Sequence, residues 1–397
     1  MNFKIPEKTS RCALSPIRAV IARGSKIDDF ISLALGNPAV EAIPAAVIQK
    51  AAHDVMTNQT MEVLQYGPAL GDEELMACIK HRLVYVKKMP ADNHTLIITS
   101  GASQALGLIP RAFTEPGDEV YAEQFSYPSA LNAIRCSGAT LVGIDTDDKG
   151  MNPELLEQAA KSGKGKYIYL NPTFQNPTGF TMPLERRKEI YAIAKKYNLL
   201  ILEDDPYGEI RFKGEDVPTF KSIDDAGIVI YVGSYSKTLS AGLRIGFIYA
   251  ENTFGIPLAN VKNNMDGETP LFNQRIVYNA LTQMNYEEHL KKIQGIYRDK
   301  CVALRDTLVE QCSPKIRISD PEGGMFLWVT LPDYVDPDAF SEQLFIHKVG
   351  AVKSSAFAAN SAKPGTSFRL NYTSLPLQRL AVGAERFAEV TRFMCSK

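Results

Sequence analysis

The chain has 397 residues, of which 45% are apolar and 22% are charged, a globular composition long enough for two ordinary domains. Its 44 basic and 45 acidic residues give a net charge of −1, which argues against an electrostatic nucleic-acid binder. No apolar run approaches the roughly 18 residues that cross a bilayer, and the first twenty residues show no secretory signal. We therefore expect a cytoplasmic protein without a nucleic-acid or membrane partner.

The six cysteines are dispersed along the chain, and none belongs to a C-x-x-C pair. The five histidines are equally scattered and include no H-E-x-x-H motif. This pattern predicts reduced thiols, and it predicts neither a disulfide framework nor a metal site.

Seven short apolar runs alternate with helical patterns between residues 94 and 250. The runs are 94–101, 117–124, 139–145, 166–172, 198–205, 227–236 and 243–250. Several are almost continuous Val, Ile, Leu and Tyr, which is typical of strands buried on both faces. Apolar residues recur at helical spacing in 182–197. The alternation predicts an α/β fold: a mostly parallel seven-stranded sheet flanked by helices.

The pattern changes after about residue 285. Residues 286–312 predict one long amphipathic helix, and 376–394 predict a closing helix. Between them, the segments 323–331, 350–357 and 367–373 predict a small sheet. We therefore predict an N-terminal segment (1–44), a large domain (45–285) and a smaller α+β domain (286–397).

Polar residues follow several of the predicted strands, at the carboxyl ends where open α/β sheets bind ligands. TSGASQAL (99–106) runs from a strand into a helix whose N-terminus suits a phosphate. NPTFQNPTG (171–179) can aim the amide of Asn176 at a ligand oxygen. LILEDDPYGEIRF (200–212) can place a carboxylate against a cationic nitrogen, with Tyr207 nearby. Each motif alone is also compatible with a capped turn or a solvated loop.

Two further motifs each contain a cation beside a predicted strand. SYSKTLSAGLRIGF (234–247) sets Lys237 among small hydroxylated residues and ahead of Arg244. A desolvated lysine near another cation has a lowered pKa and is a better nucleophile. SFRLNYT (367–373) interrupts an apolar strand with Arg369, whose guanidinium can grip a carboxylate bidentately. A surface lysine and an outward-facing arginine are the alternative interpretations.

Taken together and in order, these motifs resemble the fold-type I pyridoxal-phosphate (PLP) aminotransferases of the aspartate-aminotransferase superfamily. The subgroup with α-aminoadipate, kynurenine and aromatic aminotransferases is the nearest likeness. The resemblance covers nearly the whole chain and depends on N-P-T-G, E-D-D-x-Y and S-x-S-K-x-x-x-x-G-x-R at these separations. It implies a class I/II transaminase that uses PLP to move an amino group from an L-amino acid to a 2-oxo acid.

The resemblance implies specific cofactor contacts. Lys237 corresponds to the lysine that forms a Schiff base with PLP, and Asp204, in preference to Asp205, to the partner of the pyridinium nitrogen. Asn176 and Tyr207 correspond to the pair that bonds the phenolic oxygen of the ring. The residues that correspond to the phosphate cup are Gly101, Ala102, Ser103, Ser234, Ser236 and Arg244. Ala102 stands where relatives often carry a hydroxyl, so it offers its backbone N–H.

The resemblance also implies substrate and subunit contacts. Tyr127 matches the catalytic-site aromatic residue that stacks on the cofactor ring. The residues implied at the substrate are Gly36, Asn37, Asn176 and Arg369, where Arg369 binds the α-carboxylate and residues 1–44 associate with the small domain. Tyr66 resembles a tyrosine offered to the phosphate by the neighbouring subunit, which implies a homodimer with shared active sites. Arg18 lies in a stretch that the subgroup uses near the substrate side chain and suggests an acidic substrate.

Other functions stay open at this point, because the same fold hosts several reactions. One alternative is a PLP-dependent C–S lyase or another fold-type I lyase. Another is an aminotransferase-like transcription regulator, which we expect less because about 45 residues precede the large domain. The third is a protein that binds the ligand without a reaction.

Overall fold

The computed structural model describes residues 4–5, 7–10 and 16–396 of the chain. Its strands are β1 (Ile31–Ser32), β2 (His94–Thr99), β3 (Glu119–Glu123), β4 (Thr140–Ile144), β5 (Thr146–Asp147), β6 (Gly150–Met151), β7 (Gly165–Leu170), β8 (Leu200–Asp204), β9 (Val229–Ser234), β10 (Gly246–Glu251), β11 (Arg317–Ile318), β12 (Phe326–Thr330), β13 (Val349–Gly350), β14 (Val352–Lys353) and β15 (Ser367–Asn371). Its helices are α1 (Glu7–Ser10), α2 (Pro16–Gly24), α3 (Ala45–Asn58), α4 (Thr60–Val63), α5 (Glu73–His81), α6 (Ala102–Phe113), α7 (Pro128–Ser137), α8 (Pro153–Ala160), α9 (Leu184–Lys196), α10 (Asn252–Asp266), α11 (Leu271–Gln283), α12 (Tyr286–Cys312), α13 (Pro337–Ile346) and α14 (Leu377–Met394).

Seven strands form the large sheet in the order β2-β10-β9-β8-β7-β3-β4. The pairings β3–β4, β3–β7, β7–β8 and β8–β9 are parallel, whereas β10 is antiparallel to both of its neighbours. The predicted seven-stranded, mostly parallel sheet flanked by helices is therefore confirmed. Helices cover both faces, which explains why the strands are almost continuously apolar.

The register of this sheet brings three strand ends to one edge. Leu170 of β7 pairs with Glu203 of β8, and Asp204 pairs with Val232 of β9. The loops that leave β7, β8 and β9 therefore begin side by side. These loops carry the three polar motifs at 171–179, 204–207 and 234–244, in agreement with the rule for ligand sites of open sheets.

A second, four-stranded sheet has the order β11-β12-β15-β14. Helices α12 and α14 contribute to its apolar core, which includes Ile31 and Leu33 from the N-terminal segment. β1 also pairs with β13, Ile31 opposite Val349. The inner strand β15 carries Arg369, opposite Trp328 of β12 and Val352 of β14.

Several predicted strands begin or end elsewhere in the structure, among them those at 243–250 and 350–357. The strand predicted from residue 243 begins at Gly246, because Arg244 has φ +55° and this left-handed backbone cannot join a ladder. The run 350–357 forms the short β14 and then a 3₁₀ turn at Ser354–Phe357. The long helix is confirmed at the predicted bounds, 286–312.

The thiol prediction is wrong at one position. Cys136 is disulfide-bonded, whereas Cys78, Cys301, Cys312 and Cys395 are free. Among the described residues, no helix has both the length and the apolar character that a membrane span requires.

Candidate active site

A cavity of about 740 Å³ opens at the carboxyl ends of β7, β8 and β9. It is within the usual size range for small-molecule sites. The predicted site residues that line it are Gly36, Asn37, Ala102, Ser103, Tyr127, Asn176, Asp204, Tyr207, Ser234, Ser236, Lys237, Arg244 and Arg369. Gly101 lies next to the Arg244 guanidinium. Tyr66 is outside this wall, and 95% of its surface is exposed.

The turn between β2 and α6 forms one end of the cavity. Gly101 has φ +74°, which glycine adopts without strain, and α6 begins at the next residue without a side-chain cap. The first N–H groups of α6 and the helix dipole therefore favour an anion here. Ala102 and Ser103 line the cavity at this helix terminus. The arrangement suits a phosphate group.

Arg244 lies beside this turn and is held by several oxygens. Its Nη2 donates to the carbonyl of Ser100 at 3.1 Å, and its Nη1 donates to the Ala241 carbonyl at 3.3 Å and to Ser236 Oγ at 3.5 Å. A Cβ at position 101 would lie 2.4 Å from Arg244 Nη2, so a larger residue would displace the guanidinium. The left-handed backbone of Arg244 costs on the order of 1 kcal/mol, a cost that proteins tolerate mainly at functional sites.

Lys237 lies on the turn after β9, with its amine in the cavity. Its Nζ donates to the carbonyl of Gly36 at 2.8 Å. Burial, and then the positive charges of Arg369 and Arg244, lower the pKa of Lys237 to about 8. The lowered pKa therefore increases the neutral, nucleophilic fraction of this amine near neutral pH.

Asp204 ends β8 and is buried in the cavity wall. Its Oδ2 accepts a hydrogen bond from the Tyr169 hydroxyl at 2.9 Å, whereas its buried Oδ1 has no partner among the described residues. Burial raises the pKa of Asp204 to about 7; the Tyr169 hydrogen bond opposes this rise, and the charge of Asp205 adds to it. A buried acceptor without a donor is costly, so Oδ1 is available for an N–H group of a ligand.

The neighbouring Asp205 has its own partners. Its Oδ1 accepts from the Gly208 amide at 2.9 Å, and its Oδ2 accepts from the Tyr231 hydroxyl at 2.9 Å. It is not part of the cavity wall. This difference supports the choice of Asp204 over Asp205.

Asn176 and Tyr207 lie next to each other, 3.5 Å apart between Nδ2 and Oη. Asn171 connects the loops that contain Asn176 and Asp204, because its Oδ1 accepts from the Asn176 backbone N–H and its Nδ2 donates to the Asp204 carbonyl, each at 2.7 Å. One buried side chain therefore holds the loop after β7 against the end of β8.

Arg369 is fully buried on β15, with its guanidinium 4.2 Å from the ring centre of Phe326 and 4.9 Å from that of Phe357. Its Nη1 donates to Asn176 Oδ1 at 2.8 Å, and its Nη2 donates to the Ala34 carbonyl at 2.6 Å. Its Nε has no partner among the described residues. Burial lowers the pKa of Arg369 to about 10, so the side chain stays charged at neutral pH.

Sequence reasoning missed several residues around the site. Asn171 could have been predicted from the sequence, since it begins the same Asn-Pro motif that contains Asn176. Tyr169 and Phe357 gave no signal, because aromatic residues in apolar runs usually belong to the core. The apolar residues Ile17 and Ile21 of α2 also line the cavity.

The sequence model of the family "Aminotransferase class I and II" matches residues 28–387. The chain belongs to the class I and II aminotransferases. It is 36% identical over 391 residues to the aromatic-amino-acid aminotransferase 1 of Thermococcus litoralis, covering 97% of this chain and 93% of the relative. It is 31% identical to the 2-aminoadipate transaminase of Thermus thermophilus, covering 91% and 90%. The solved kynurenine aminotransferase of Pyrococcus horikoshii superposes with a TM-score of 0.93 at 32% identity, covering 98% and 97%.

These findings confirm the prediction of a fold-type I PLP-dependent aminotransferase. The groups that line the cavity match the chemical groups of PLP. The anion-binding turn suits the phosphate, the unpartnered Oδ1 of Asp204 suits the ring nitrogen, and the amine of Lys237 suits the aldehyde. The roles of the individual residues stay predictions.

Proposed function

We propose that this aminotransferase moves the amino group of an L-amino acid to a 2-oxo acid with Lys237 as its amine, Asp204 at the cofactor ring and Arg369 at the substrate. The observation that carries the proposal is that a lysine of lowered pKa, an unpartnered carboxylate oxygen and a buried arginine face one cavity. PLP, when bound, supplies an aldehyde carbon that condenses with amines and a ring that accepts electrons from the substrate Cα.

The phosphate end of the cavity supports binding of the cofactor. The groups that we propose to hold the phosphate are Gly101, Ala102, Ser103, Ser234, Ser236 and Arg244. Ser234 supports this end indirectly, because its Oγ accepts from the Ser236 amide at 3.1 Å. Charge-assisted bonds from Arg244 would add to those of the helix terminus, so these groups would anchor the cofactor through its phosphate.

We propose that Tyr127, Asp204, Asn176 and Tyr207 would hold the cofactor ring. Asp204 would accept the ring N–H and keep that nitrogen protonated, while Asn176 and Tyr207 would bond the phenolic oxygen. A carboxylate suits the ring nitrogen because its negative charge favours the protonated form. Tyr127 lines the cavity at the start of α7, which supports a stacking role.

Lys237 would act twice. Its neutral amine would hold the aldehyde carbon of the cofactor, with the carbonyl oxygen leaving as water, and once freed by the substrate amine its Nζ would take the proton from the substrate Cα. A base works best with a pKa near the working pH, and the lowered pKa of about 8 meets this condition.

Replacement of Arg369 by alanine is expected to lower kcat/KM for amino acids by about 10²- to 10³-fold, since two charge-assisted hydrogen bonds to a carboxylate are lost. The measurement is steady-state kinetics with an amino acid and, in parallel, with the corresponding amine that lacks the carboxylate. The amine should react equally with both enzymes. Arg379→Ala is the matched control, because this exposed arginine bonds Asp29 away from the cavity. Unchanged kinetics with the amino acid would exclude the carboxylate role.

We infer that the substrates belong to the classes named for the relatives, aromatic amino acids and 2-aminoadipate. The apolar side chains of Ile17 and Ile21 in the cavity wall support an aromatic side chain, and Arg18 in the same wall supports an acidic one. A screen of amino donors with 2-oxoglutarate is expected to yield a 2-oxo acid and glutamate in equal amounts. Production of pyruvate and ammonia in place of glutamate would favour the lyase alternative.

A homodimer with shared active sites is part of the proposal. Tyr66 is exposed, and its neighbours Met61 and Leu64 expose 75% and 64% of their surfaces. Exposed apolar side chains this close together favour a protein interface.

The two sheets with their separate cores support the proposed division into a large and a small domain. The cytoplasmic location stays a prediction.

A further inference from the structure

Tyr169 occupies an unusual place behind the candidate active site. It lies near the end of β7, beside β8, and its side chain is fully buried. Its hydroxyl donates to Asp204 Oδ2 at 2.9 Å. Tyr169 is not part of the cavity wall, whereas Asp204 is.

The two oxygens of Asp204 are therefore unequal. Oδ2 is bonded to Tyr169, and Oδ1 is buried without a partner among the described residues. Rotation about the last bond of an aspartate is broad, so burial alone does not fix the plane of the carboxylate. The Tyr169 hydrogen bond supplies this restraint and leaves one defined oxygen for a ligand. Asn171 fixes the backbone of Asp204 in the same way, through its carbonyl.

We infer that Tyr169 is a positioning residue for PLP: it holds Oδ2 of Asp204 so that Oδ1 receives the ring N–H. The inference rests on the proposed role of Asp204. The hydroxyl acts in a second way, because its hydrogen bond stabilises the carboxylate form against the cost of burial. Without it, Asp204 holds a proton more tightly and pairs less well with a protonated ring nitrogen.

Tyr167 offers a matched control on the same strand. It lies two residues before Tyr169, is equally buried, and its hydroxyl has no hydrogen-bond partner among the described residues. Residues two apart on a strand face the same side of the sheet, so both tyrosines have similar surroundings. The change from tyrosine to phenylalanine removes one hydroxyl at either position. The two variants differ because only the Tyr169 hydroxyl bonds Asp204 among the described residues.

The experiment compares PLP binding to the apo forms of the wild type, Tyr169→Phe and Tyr167→Phe by fluorescence titration. We expect Tyr169→Phe to weaken PLP binding about 10- to 100-fold, the loss of one hydrogen bond to a charged group, and Tyr167→Phe to change it by less than about twofold. In the loaded enzyme, Tyr169→Phe should lower kcat and leave KM for the amino donor unchanged, because the hydrogen bonds and ring contacts of Arg369 go to other residues. Equal PLP affinities of the two variants would overturn the inference.

A double-mutant cycle separates positioning from general structure. In the Asp204→Asn background, Tyr169→Phe is expected to change PLP affinity by less than about threefold, because the carboxylate that Tyr169 orients toward the ring N–H is gone. An equal loss in both backgrounds would show a structural role and overturn the inference. If Asp204→Asn alone binds PLP like the wild type, the proposed role of Asp204 fails together with the inference. If Asp204→Asn binds weakly and Tyr169→Phe normally, the inference alone fails.

Discussion

Replacement of Lys237 by alanine is expected to abolish transamination, with a loss of about 10⁴-fold or more. Among the described residues that line the cavity, Lys237 supplies the one primary amine. Arg244 and Arg369 in the same wall carry guanidinium groups, which donate hydrogen bonds and offer no primary amine. The variant therefore loses both the attacking amine and the base that removes the Cα proton.

The fold of the Lys237→Ala variant should be unharmed. The folded-state pKa of about 8 lies below the ordinary value of 10.5, so the buried ammonium destabilises the protein most below about pH 8, and this cost disappears above about pH 10. Thermal unfolding of the apo variant at neutral pH should therefore occur at or above the wild-type temperature, offset by the lost bond to the Gly36 carbonyl.

Steady-state rates with a good amino donor test this prediction. Lys188→Ala is the control, because Lys188 is an exposed lysine paired with Glu185. Near wild-type turnover of Lys237→Ala would show that another group carries the reaction. We expect the Lys237→Ala enzyme to be folded and inactive, and the Lys188→Ala enzyme to be fully active.

Replacement of Asp204 by alanine is expected to reduce kcat/KM by about three orders of magnitude. Loss of one partner of a buried charge pair costs about 3–5 kcal/mol, and each 1.4 kcal/mol is a factor of ten. The pyridine nitrogen would then lose its proton more easily, and the ring would accept electrons less well. PLP affinity should fall in parallel, because the contact is lost in the bound state.

Asp205→Asn is the matched control for Asp204→Asn. Both aspartates are buried neighbours, but Asp205 bonds Gly208 and Tyr231 away from the cavity. Kinetics and PLP titration of the two variants should separate them, with Asp204→Asn severely impaired and Asp205→Asn retaining PLP affinity. The reverse result would transfer the role to Asp205.

The stability of the apo enzyme gives an independent readout on Asp204. Its pKa of about 7 lies above the ordinary 3.8, so its folded form binds a proton more tightly than the unfolded chain does. The buried carboxylate therefore destabilises the folded protein. This destabilisation is complete above about pH 7 and disappears as the pH falls toward about 4. Apo Asp204→Asn should unfold at a higher temperature than the wild type near pH 8, and this advantage should shrink as the pH falls. A constant difference would contradict the raised pKa.

Much of the large sheet could be predicted because its signal is local. Strands buried on both faces require unbroken apolar runs, and the runs at 94–101, 198–205 and 227–236 each contain a strand of the structure. The amphipathic repeat of 286–312 likewise fixes a helix at those bounds. The strand predicted from residue 243 was wrong at its start, since Arg244 has a positive φ that an apolar run does not predict.

The sequence by itself determined the alternation of strands and helices, the polar residues at the strand ends and, through the order of the motifs, the family. These features follow from the burial of each segment and the chemistry of single residues. Only the tertiary structure decided that Tyr169 holds one oxygen of Asp204 and that Arg369 lies between Phe326 and Phe357. Such contacts join strands distant in the chain, so side-chain direction and register decide them, and no local pattern encodes either.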